Sequence, residues 1–74
     1  LKSSNHIRVS YIHTNFSNSD FRVSNFKDCG FFNANFTNAN FEFCNFFQCR
    51  QLDTNKLKNK NSNLIVDDIS EYYS

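Results

Sequence analysis

Three cysteines, two histidines and a scatter of carboxylates are the side chains of this 74-residue chain that could hold a metal or form a covalent intermediate. Cys29, Cys44 and Cys49 with His6 or His13 would supply the thiolate and imidazole donors that zinc favours, yet their spacings match no zinc pattern. The odd cysteine count argues against a complete secreted disulfide framework and points to a reducing compartment, so a cytoplasmic location is expected. No nucleophile elbow, phosphate loop or His-Glu-x-x-His motif is present, and Asp67-Asp68 is more simply a solvated helix edge than a catalytic pair. Lys56, Lys58 and Lys60 alternate and would share one face of an extended segment, which is weak ground for nucleic-acid binding. Catalytic residues, a cofactor and a metal are not expected.

Composition narrows the classes further. A formal net charge of +1 provides no broad basic field for phosphates and no acidic one for cationic partners. At 39% hydrophobic and 20% charged residues the chain is neither a membrane span nor a charged disordered tail, and Leu64-Ile65-Val66 is its one continuously aliphatic run. It is expected to be soluble, a single small domain and, starting at Leu1 without Met, a piece of something longer. The extremes are 10 Phe against 1 Gly, with no Pro, Met or Trp.

Those phenylalanines define the elements that would have to position any site. Phe16, Phe21, Phe26, Phe31, Phe36, Phe41 and Phe46 recur at intervals of five, with Tyr11 and His6 in phase before them and Gln51 after. Two residues ahead of each Phe stands a small side chain: Thr14, Ser19, Ser24, Cys29, Ala34, Ala39 and Cys44, followed by Cys49 ahead of Gln51. One residue ahead stands Asn or Asp, except at Gly30. An α-helix would scatter a period of five around its circumference, and a straight strand would send it to alternate faces. The chain must therefore turn once per repeat. Strand parity points the small residue and the Phe to one side and the Asn to the other, so successive corners coil the chain into a solenoid filled by Phe and small residues.

Ala34-Asn35-Phe36-Thr37-Asn38 and Ala39-Asn40-Phe41-Glu42-Phe43 resemble in full the unit of the pentapeptide-repeat family, A(D/N)LXX with Phe in place of Leu. The resemblance covers about residues 4–53; Val9, His6 and Gln51 depart from the unit at its degenerate ends, and Gly30 departs within it. It implies an all-β fold, a right-handed quadrilateral β-helix with four repeats to a coil and about two and a half coils in all. Residues twenty apart would then stack at roughly 4.8 Å, Phe16 on Phe36, Phe21 on Phe41, Phe26 on Phe46 and Tyr11 on Phe31. Cys29 and Cys49 become column neighbours, close enough for a disulfide in Cα separation, but they point inward in parallel and reduced packing is expected. The inward and outward directions also break up any cysteine–histidine metal set.

From Thr54 the lysine- and asparagine-rich stretch reads as a linker. Residues 64–73 read as a short amphipathic helix, with a strand as the second choice. Residues 54–74 would thus be linker and C-terminal cap to a β-helix over 4–53. On the outside, Arg22 and Glu42 are expected to form a surface ion pair. Ile12, Phe32 and Leu52 fall in one outward column with Phe43 and Phe47 nearby, a patch that monomers do not usually leave bare. It is either a site for a protein partner or the seat of the tail's Leu64, Ile65 and Ile69.

The function expected from these features is a non-catalytic structural or protein–protein interaction module, a scaffold within a larger protein, with no small-molecule substrate and no membrane contact. The resemblance also implies settings in multidomain proteins, including secreted bacterial effectors. Its alternative is the quinolone-resistance branch, whose members mimic duplex DNA and bind DNA gyrase as dimers. That mimicry needs a long acidic rod, whereas over residues 4–53 Arg8, Arg22, Lys27 and Arg50 balance Asp20, Asp28, Glu42 and Asp53. Homo-oligomers formed through the tail or the coil ends are compatible with the first reading.

Overall fold

The structure, a computed structural model, describes residues 2–74. Its corners are set by backbone conformation. Ser3, Arg8, His13, Asn18, Val23, Asp28, Asn33, Asn38, Phe43 and Gln48, one residue in every five, lie in the left-handed region with φ between 54° and 63°. Glycine enters that region freely and Asn, Asp and His tolerate it best, yet no glycine occupies a corner here. Several corners are closed by a hydrogen bond between residues three apart, such as Ala39 N–H to Phe36 O at 3.0 Å and Cys44 N–H to Phe41 O at 3.1 Å.

Twenty residues bring the chain back over itself. Strands β1 (Asn5–Ile7), β2 (Asn25–Lys27) and β3 (Asn45–Phe47) form a parallel ladder in that order, with Asn5 opposite Asn25 and Asn25 opposite Asn45. Single parallel bridges in the same register join Ser10 to Gly30, Asn15 to Asn35, Asp20 to Asn40 and Gly30 to Arg50. The architecture is a β-helix, as the five-residue period requires. Its interior is a lattice of rings. Along the axis they stack nearly parallel: Phe16 on Phe36 at 5.4 Å, Phe21 on Phe41 at 5.1 Å, Phe26 on Phe46 at 5.1 Å and Tyr11 on Phe31 at 5.5 Å. Neighbouring columns meet edge to face, with Phe16 and Phe21 inclined at 80° and Phe36 and Phe41 at 84°. Both arrangements suit the ring quadrupole.

Between the rings sit the small residues, of which Ser24, Cys29, Ala39, Cys44 and Cys49 are fully buried. The thiols serve as buried donors to the coil beside them: Cys44 Sγ to Phe21 O at 2.8 Å, Cys49 Sγ to Phe26 O at 3.4 Å and Cys29 Sγ to His6 O at 3.5 Å. Burial pushes the Cys44 and Cys49 thiols up to about 11 and raises that of Cys29.

The tail differs from its sequence reading. The lysine- and asparagine-rich stretch, whose composition predicts a linker, forms helix α1 (Thr54–Lys60), capped by the Asp53 carboxylate, which accepts from Lys56 N–H at 3.0 Å. Its inner face is short, Thr54 and Leu57, which is why a helix hides in so polar a run. Residues 64–73 form a strand as well as the expected helix: strand β4 (Ile65–Val66) pairs in parallel with β3, and helix α2 (Asp68–Tyr72) follows. Together they close the coil end. The fully buried Asn61 accepts Phe41 N–H at Oδ1 (2.8 Å) and donates to Ala39 O (3.2 Å), doing with one amide what another turn of backbone would do. Ser70 Oγ likewise accepts Cys49 N–H at 2.9 Å, and the Asp67 carboxylate accepts Gln48 N–H at 3.0 Å.

Two outward assignments are corrected. Leu52, expected on the surface, is fully buried, because Gln51 takes a left-handed φ of 53° two residues ahead of the period and swings Leu52 inward. Arg22 pairs with Asp20 rather than Glu42, through Nε to Oδ1 at 2.9 Å and Nη2 to Oδ2 at 2.8 Å, and those bonds hold the Asp20 carboxyl down to about 2. Glu42 instead accepts from the Asn63 backbone and side chain at 3.0 and 2.9 Å.

Two outcomes follow from the corners and the buried thiols. Val23 is β-branched and left-handed, so Val23→Asn should raise stability by about 1 kcal/mol, read from urea unfolding; an unchanged or lower midpoint would refute the corner assignment. The thiols should resist an aromatic disulfide reagent in the native state and react only in denaturant, since raising a thiol to about 11 cuts its thiolate fraction at neutral pH roughly a hundredfold; rapid native labelling would contradict the packing.

Candidate functional site

The outward residues divide the solenoid into unlike sides. One side carries an amide ladder, Asn25 Nδ2 to Asn5 Oδ1 at 2.9 Å and Asn45 Nδ2 to Asn25 Oδ1 at 2.7 Å. On two others the Asn or Asp side chain turns back to the N–H two residues on: Asn15 to Ser17, Asn35 to Thr37, Asp20 to Arg22 and Asn40 to Glu42. The fourth column is Ser10, Gly30 and Arg50, and it interrupts this polar frame.

Three of the apolar residues singled out from the sequence stand beside that column. Ile12 and Phe32 rise on one flank, 53% and 45% exposed, and Phe47 rises on the other at 47%. Phe43, at 60%, occupies a left-handed corner farther round, with Val23 one coil back. Leu52 is not among them. The tail leaves them bare, because it covers the coil end and itself exposes Ile65 and Ile69. Sequence reading passed over Ile7, which precedes Lys27 and Phe47 in one ladder position; its twenty-residue spacing from Lys27 was the available signal. Lys27 Nζ lies 5.8 Å from the Phe47 ring centroid, a cation–π contact that holds this ring against its corner. Tyr73 was also missed. It reaches the Ser10–Gly30–Arg50 side only because Gln51 N–H bonds Tyr73 O at 2.6 Å, a contact that no local pattern encodes.

With Tyr73 in place, Ile12, Phe32, Arg8, Asp28 and Arg50 enclose an open groove of about 580 Å³ over Gly30. Arg50 Nη1 pairs with Asp28 Oδ1 at 2.9 Å, both partly exposed.

The polar chemistry lies elsewhere and is knitted into the first coil. His6 stacks on Phe26 at 4.5 Å, with its Nε2 2.7 Å from Ser4 Oγ and its Nδ1 2.6 Å from the Tyr11 hydroxyl. Burial lowers the His6 pKa and raises that of Tyr11, so the neutral forms are favoured. His13 lies on the outside, edge-on to Phe32 at 5.8 Å, well separated in role from the inward thiols. Among the described residues no group of three or more His, Cys, Asp or Glu is placed to hold a metal ion.

A family model described as pentapeptide repeats matches residues 14–50 in 8 copies. Comparison with curated proteins and with solved structures gives no match. The matched residues are those whose corners fall every fifth position and whose rings stack every twentieth, and the chain belongs to the pentapeptide-repeat family.

Proposed function

We propose that this chain is a non-catalytic structural and protein–protein interaction module, a rigid β-helical scaffold working within a larger cytoplasmic protein. In this reading residues 4–53 form a right-handed, four-sided β-helix of about two and a half coils, and residues 54–74 are its cap. The observation that carries the proposal is the contrast between inside and outside. Stacked rings fill the interior and leave chemistry little room, while Ile12, Phe32, Phe43 and Phe47 stand on fixed corners facing solvent. Large aromatic side chains held in place lose little entropy on binding, which suits them as anchors for a protein partner.

The test uses a photoreactive benzoylphenylalanine placed at position 32, 43 or 47 of the protein in its own cells, with position 37 on the polar Ser17–Thr37 corner as control. A discrete crosslinked protein from one or more of the apolar corners, absent from position 37, is the expected outcome. The same products from all four positions would contradict a defined partner surface.

A further inference from the structure

We propose that the groove over Gly30 binds a small carboxylate with an aromatic or branched apolar body, an activity that does not depend on any macromolecular partner. Gly30 is the chain's one glycine, yet no structural need for glycine exists there. Its φ is not positive, and a Cβ built on it would meet nothing within 4 Å. On two of the other sides Asn or Asp in this place closes the following corner with its own side chain, a bond that Gly30 forgoes while adding backbone freedom to the unfolded chain. What the missing side chain provides is space: bare backbone at the floor of a groove whose volume of about 580 Å³ falls in the range of small-ligand sites. Glycine in an extended segment marks a bulge, a tight bend or the close approach of a ligand or another backbone, and Gly30 keeps the twenty-residue bridge register with Ser10 and Arg50, without a bulge.

The walls specify the occupant. Ile12, Phe32 and Tyr73 offer apolar surface on one flank and at one end. Arg8, Asp28 and Arg50 form the other border, and because Asp28 is engaged by Arg50, one positive charge remains in excess there. Among the described residues Arg8 has no ion-pair partner. Its guanidinium is the free donor fork of the groove; such a fork pairs bidentately with carboxylate or phosphate, and the single excess charge matches the singly charged carboxylate. A neutral ligand would leave that charge unanswered, and a cation would be repelled.

The single glycine gives the experiment its reporter, an isolated amide signal in a ¹⁵N–¹H spectrum. The chain is titrated with 3-phenylpropanoate, and in parallel with 3-phenylpropanol and 3-phenylpropylamine, which share the body without the anion. Phenylpropanoate should shift the Gly30, Ile12 and Phe32 signals saturably at millimolar concentration, with the alcohol and the amine at least tenfold weaker. Gly30→Asn restores the repeat's usual residue and should keep the spectrum of the fold while abolishing the response. Arg8→Asn removes the charge, suits the left-handed corner and should weaken binding about tenfold. The proposal is overturned if the alcohol binds as well as the acid, if Gly30→Asn or Arg8→Asn binds undiminished, or if the shifts centre on Ser17 and Thr37.

Discussion

The stacking of one ring on another twenty residues away is the contact on which the rest of this structure depends. Each inner Phe is stacked on a ring one coil away and held on its edges by the neighbouring columns, as Phe41 is by Phe21 along the axis and by Phe16 and Phe36 at its edges. That lattice can form only if the chain returns to the same corner after a fixed number of residues. The left-handed residue at every fifth position provides this return, and it does so at Val23 and Phe43 as well as at Asn18, Asn33 and Asn38. Side chains that pay an intrinsic cost in that conformation are kept there by the packing of their neighbours, so local backbone strain and ring burial are two sides of one constraint.

A solenoid must also end, and the C-terminal end is built from side chains that imitate backbone. Asn61, Asp67 and Ser70 satisfy N–H groups of the last coil that would otherwise face apolar or empty surroundings. Both tail helices are short and amphipathic only in part. They owe their stability to Asp53 and Asp67 at their N-termini and to what they seal. At the other end His6 and Tyr11 take the ring positions, and their polar atoms bond to each other and to Ser4. The two ends therefore differ in kind, one lidded by the tail and one finished by a polar ring pair.

The fold was legible in the sequence where a side chain's type alone determined its direction. The Phe register alone determines the inner column, the twenty-residue pairs and the small-residue column. It fails where direction depends on a single backbone angle. Leu52 sits in the phase of an outward residue, and only the early turn at Gln51 sends it inside. Helix α1 was illegible because one cap and one leucine are enough to hold it against a coil end, whereas periodicity needs more apolar residues than that. The outward apolar residues Ile12, Phe32 and Phe47 follow from parity, and Phe43 from its place at a corner outside the inward register. The groove follows from neither, because its floor is an absent side chain and its end wall, Tyr73, arrives from the tail.

Phenylalanine appears both inside and outside within three residues, at Phe41 and Phe43, and this pair tests the ring lattice most directly. Each is replaced by alanine and unfolding is followed in urea. The account predicts that Phe41→Ala costs roughly 3–5 kcal/mol, enough to unfold much of the population. It predicts that Phe43→Ala changes stability by no more than about 0.5 kcal/mol. Equal losses at the two positions, or a larger one at Phe43, would contradict it.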